Sequence, residues 1–237
     1  MKNLTSRNAL PRLMSLALGL TSGLLLHSAL AQTGGSHQQD YLEALAKVEQ
    51  GEARILAELD RIQQGNVAHY DFLQFENIEL VRHSRALAYP PADLPLRKRE
   101  DVIQQAEALL GSANALEWII ADYLRAFALV RSASANTLDI AATLQASAEE
   151  PLAKALTALE ARMLTFAVSG YADDETALHA AFTEVLSALP HGQARRELSV
   201  QQTLIRDNAS SLGALRQAVV DSDVDQQALV LTSLYTS

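Results

Sequence analysis

Apolar residues return along most of this chain at the spacing of a helix, and polar residues fill the positions between them. From about Asp40 to Gln64, Leu42, Leu45, Val48, Ile55, Leu59 and Ile62 form one stripe, closed by Gly65-Asn66. A second helix is predicted from about Val67 to Ala88, with Tyr70, Leu73, Ile78, Val81 and Leu87 on its apolar face; Pro90-Pro91 and Pro95 then make a stiff loop. The third stripe is the clearest. Val102, Ala106, Leu109, Ala113, Leu116, Ile120, Tyr123, Phe127 and Val130 alternate steps of four and three, a heptad seam of the kind that packs helices in bundles. Arg97-Lys98-Arg99 precede it, where the helix dipole disfavours cations, so this helix is expected to begin at Glu100-Asp101.

Ser132–Asn136 is small and polar and predicts a break or kink. A fourth helix follows over about Thr137 to Ser169. It divides in two if Ser147 and Glu150 form a capping box with Pro151 in the first turn. Gly170 is a plausible terminator, and Asp173-Asp174-Glu175 opens a fifth helix that ends near Leu189-Pro190. A sixth covers about Gln193 to Val220, and a short one follows Ser222. No run of alternating strand formers competes with this pattern. The predicted fold is all-α: an antiparallel helical bundle, with too many helices for one four-helix unit and therefore two stacked or offset bundles sharing a long helix.

Composition agrees and narrows the chemistry. Ala and the aliphatic residues are abundant and aromatics make up only 5%, which suits helices. The absence of cysteine removes disulfides, thiolate metal sites and cysteine nucleophiles. A net charge of −9 argues against a nucleic-acid partner.

The N-terminus reads as an export signal. Lys2, Arg7 and Arg12 are followed by an apolar stretch from Leu13 to Leu26 and by the small-x-small site Ala29-Leu30-Ala31. Cleavage after Ala31 is expected, leaving a flexible leader over 32–39, a mature domain over 40–237 and a periplasmic location. Loss of three cations and no acid takes the charge from −9 to about −12. No later apolar run is long enough to span a membrane.

Nothing in the mature chain spells out a catalytic centre. His37, His69, His83, His179 and His191 do not pair at metal-ligand spacing, so no metal and no cofactor is expected. Met163 reads as core. Glu76 and Glu79, and Glu149 and Glu150, sit among polar positions and read as solvated faces rather than acid–base pairs. Gly111-Ser112 offers a close helix approach or a bend, not a phosphate loop. Two groups are candidates for binding. Trp118 and Tyr123 on the third helix, with Tyr70, Phe72 and Phe75 on the second, line a small-molecule pocket or form plain core. Asn114, Gln201 and Asn208 lie near apolar seams, where an amide fixes helix register or meets a ligand.

Glu100-Asp101, then Ser112-Ala113-Asn114-Ala115 and Leu116, with Tyr70-Asp71 in the preceding helix, are similar to the double all-helical ligand-binding (DAHL) domain of bacterial extracytoplasmic sensors. The likeness extends through the order of helices to Tyr235 and covers most of the mature chain. Trp118, Ile119 and Ile120 stand where that family carries a polar stretch. The resemblance implies sensing of a ligand or partner and output through a separate membrane protein. It makes Ser112 and Asn114 the leading ligand-binding candidates, with Trp118, Tyr70 and Tyr123 beside them. The expected role is a stand-alone periplasmic sensor or binding module that is not an enzyme; the alternative is a structural adaptor that docks other proteins along its helices.

Overall fold

The structure, a computed structural model, describes residues 36–63, 70–92, 94–168 and 175–237. Among the described residues there are seven helices and no strand: α1 Ser36–Gln63, α2 Asp71–Leu87, α3 Leu96–Gln145, α4 Glu150–Val168, α5 Glu175–Ala188, α6 Gln193–Val220 and α7 Val224–Thr236. The all-α helical bundle is as the periodicity predicts. None of these helices is long and apolar enough to cross a membrane. The export signal, its cleavage after Ala31, Gly65-Asn66, Val67, His69, Gly170 and Asp173-Asp174 lie outside the described residues.

The chain divides into two compact units. One takes the chain up to Ala53 together with Glu79–Ala113 and Asp223–Ser237; the other takes Arg54–Ile78 and Asn114–Ser222. Residues 96–113 of α3 belong to the first unit and residues 114–145 to the second, so the long helix is shared.

Every residue of the α3 seam from Val102 to Val130 is buried. The helix differs from the expectation at both ends. It starts at Leu96, because Pro95 supplies the carbonyl that accepts the N–H of Arg99 at 2.8 Å and a proline suits a helix start. Arg97, Lys98 and Arg99 are therefore in its first turns, where water screens their unfavourable position on the dipole. Nor does the helix break at Ser132–Asn136; it continues to Gln145. Ala133, Ser134 and Thr137 are all buried, and the Thr137 hydroxyl donates to the Ala133 carbonyl at 2.8 Å, which satisfies it inside the helix. The fourth element is accordingly the shorter α4. Its first turn is closed by Ala153 N–H to the Glu149 carbonyl, while Ser147 N–H donates backward to Leu144 and belongs to the turn that ends α3.

Smaller differences have local causes. α1 begins at Ser36, so residues 36–39 of the expected leader are helical, ahead of the buried Tyr41 and Leu42. α2 begins at Asp71, and Tyr70 sits just before it, its carbonyl accepting Gln74 N–H at 3.2 Å. Gly111 faces open space and mediates no close approach. That role falls to Gly51, where a Cβ would lie 2.8 Å from Leu80 Cδ1, so the Leu80 side chain of α2 packs directly on the α1 backbone.

In the first unit α7 is held against α1 by polar contacts as well as by buried Val224, Ala228, Leu231 and Tyr235. The Tyr41 and Tyr235 rings lie 4.7 Å apart, and the Tyr41 hydroxyl donates to the Leu87 carbonyl at the end of α2 at 3.1 Å. Burial raises the Tyr41 pKa, with Tyr235 adding to the effect. Asp223, the residue before α7, makes no side-chain cap. The cap comes from α1 instead: Glu52, only 5% exposed, accepts the Asp225 N–H at 2.9 Å, placing a carboxylate where a helix leaves its donors unsatisfied. One turn earlier, Glu49 accepts the Thr232 hydroxyl at 2.7 Å.

This arrangement costs Asp225 part of its acidity. Burial, with Glu49 nearby, pushes its pKa from 3.8 up to about 6. Between those values the folded chain keeps a proton that the unfolded chain has released, so stability falls as pH rises through the window. His83 works in the opposite sense below its ordinary value of 6.5, because burial and then Lys47 and Arg82 lower its pKa. Asp225→Asn is expected to raise stability at about pH 7 and to flatten the dependence between about pH 4 and pH 6. Urea unfolding of both proteins across that range checks this. His83 is common to both and cancels in the comparison; parallel curves would exclude the effect.

Candidate functional site

The residues singled out from sequence do not converge. Tyr123 is fully buried, its ring stacked on Phe127 at 6.1 Å, and Tyr70 meets Phe127 edge-on at 5.6 Å while its hydroxyl accepts from Arg131 Nη1 at 2.9 Å. Tyr123 and Phe127 are core of the second unit, and Tyr70 is half-buried at its edge. Trp118 is 73% exposed, Phe72 64% and Phe75 56%, so none of them lines a pocket with Tyr123. Ser112 and Asn114 are both half-buried on α3. Two residues apart on a helix, they point to different faces, whereas Asn114 shares a face with the exposed Trp118.

Of the remaining polar candidates, Gln201 keeps a buried side-chain oxygen without a hydrogen-bond partner, and the others are engaged locally. Asn208 Nδ2 donates to the Leu204 carbonyl of its own helix at 2.8 Å. Glu76 pairs with Arg54 at 3.6 Å, and Glu79 with Arg82 and His83. Glu149 and Glu150 are exposed, and Met163 is buried. Among the described residues no group of three His, Asp or Glu side chains could hold a metal ion.

A concave site does exist in the second unit, on α5 and α6. Glu175, Thr176, Leu178, His179, Phe182, Gln202, Ile205 and Arg206 line an open cleft of about 280 Å³. Its geometry follows from helical spacing. Glu175, His179 and Phe182 recur on one face of α5, and Gln202, Ile205 and Arg206 on one face of α6. Leu178, Phe182 and Ile205 are almost fully buried and form an apolar floor; the polar groups stand on its rim. Gln202 Nε2 lies 2.9 Å from His179 Nδ1. With the amide nitrogen donating, Nδ1 accepts, and the neutral ring of that tautomer carries its proton on Nε2. The rim also carries a carboxylate, a guanidinium and the Thr176 hydroxyl.

Sequence reading passes over this site because His179 and Gln202 look like ordinary surface residues on separate helices. The only local signal is the Glu175, His179, Phe182 spacing at the start of a helix; the opposite wall comes from packing of α5 on α6.

No family model, no curated protein and no solved structure matches this chain.

Proposed function

We propose that this chain is an exported, non-catalytic helical binding module that takes a small ligand in the α5–α6 cleft and relays its presence to a membrane signalling protein. The observation that carries the reading is the cleft itself: an apolar floor ringed by convergent hydrogen-bonding and charged groups from two helices. A ligand that contacts both walls favours one packing of α5 on α6 over others, and that differential affinity is the physical minimum for a signal. The resemblance to the double all-helical sensor family and the N-terminal export pattern support the same role. The resemblance alone points to a site elsewhere, near Ser112 and Asn114, whereas the cleft offers the better geometry.

A second reading, a docking adaptor, is favoured by α2. Phe72, Phe75 and Ile78, the last 54% exposed, set apolar side chains on the solvent side of that helix within two turns.

Thermal unfolding of the chain from Gln32 onward against a panel of small metabolites separates the two. A compound present at 100 times its dissociation constant is expected to add about 2.7 kcal/mol, and the shift is expected to vanish in the His179→Ala, Gln202→Ala double variant. A shift that survives the double variant refutes the cleft. No shift with any compound favours the adaptor.

A further inference from the structure

The charges on the cleft narrow its ligand, an inference that rests on the binding reading above. α5 and α6 are joined by the short segment 189–192 and run antiparallel, and the His179–Gln202 contact fixes their register. One turn back along α5 is Glu175; one turn forward along α6 is Arg206. The two stand at the same level on opposite walls of the cleft. Among the described residues no ion pair joins them: the Arg206 guanidinium turns instead to Asp207, its α6 neighbour, at 3.0 Å. An acid and a base thus face each other across a gap with an apolar floor beneath.

We propose that the cleft binds a small zwitterion with its amine and carboxylate on the same carbon, an α-amino acid with a short apolar side chain. The ammonium group meets the Glu175 carboxylate. The carboxylate meets Arg206 and the Nε2–H of His179, and the side chain lies over Phe182 and Ile205. A ligand carrying one charge gains the attraction of one wall only, which is why both charges are required.

The test is a titration of isotope-labelled protein followed by NMR, with L-leucine, 4-methylpentanoate (the acid without the amine) and isoamylamine (the amine without the acid). L-leucine is expected to move the Gln202 side-chain amide and the α5 and α6 backbone signals, saturating at a concentration about tenfold or more below either analogue. Glu175→Gln is expected to bring L-leucine down to the level of 4-methylpentanoate, and Arg206→Gln to that of isoamylamine. If either analogue saturates the same signals as readily as L-leucine, the zwitterion is refuted while the cleft stands as a ligand site. If none of the three moves α5 or α6 signals, the zwitterion is refuted outright, and the metabolite panel then decides the cleft.

Discussion

Replacing Ala135 by proline is expected to destabilise the protein by about 3 kcal/mol or more. Ala135 is exposed, so no packing is lost directly. The whole effect comes from the backbone of α3, which runs unbroken from Leu96 to Gln145. Proline in a helix interior removes one hydrogen bond and clashes with the carbonyl four residues earlier, here that of Arg131. A chain with a loop at Ser132–Asn136 tolerates the same change with an effect within about 0.5 kcal/mol. Urea unfolding of Ala135→Pro beside Ala135→Ser distinguishes the two, since serine keeps the N–H and the helix.

The second large effect separates two aromatic residues that look alike from sequence. Tyr123→Ala is expected to cost about 3–5 kcal/mol, the range for removing a large aromatic side chain from a packed core. Tyr123 is fully buried, and the hole it leaves is walled in part by Phe127, which stacks on it. Trp118→Ala, one and a half turns away on the same helix, is expected to change stability by less than about 0.5 kcal/mol because its side chain stands in solvent. Denaturant unfolding of both variants checks the pair. Equal losses would place Trp118 in the core and restore the pocket of aromatics that the sequence suggests.

These two residues also show what was legible and what was not. The α3 seam could be read in full because apolar residues, from Ala to Phe and Tyr, occupy its steps of four and three without interruption. α2 has the same rhythm, Leu73, Asn77, Leu80, Ser84 and Leu87, and all five are buried. Asn77 and Ser84 are polar, so the seam is concealed, and Ile78, which faces solvent, takes a place on the apparent stripe. The continuity of α3 was hidden in a similar way. Ser132, Ser134 and Asn136 have loop-forming chemistry, but Ala133, Ser134 and Thr137 are small enough to sit against neighbouring helices, and burial outweighs a weak local preference. Gly51 and Gly111 carry no sign of which one touches another helix, because that depends on what the opposite element presents. The cleft was beyond reach for the same reason. His179 and Gln202 acquire meaning only once α5 and α6 are antiparallel and in register.

The most direct measurement of the central claim is amide hydrogen exchange of the full mature chain with and without the metabolite that gives the largest thermal shift. Ligand bound between α5 and α6 is expected to slow exchange in Glu175–Ala188 and Gln193–Val220 first, with the strongest protection around His179 and Gln202. Protection that appears instead along α2 or around Ser112 and Asn114, with α5 and α6 unchanged, would contradict the assignment of the cleft as the binding site.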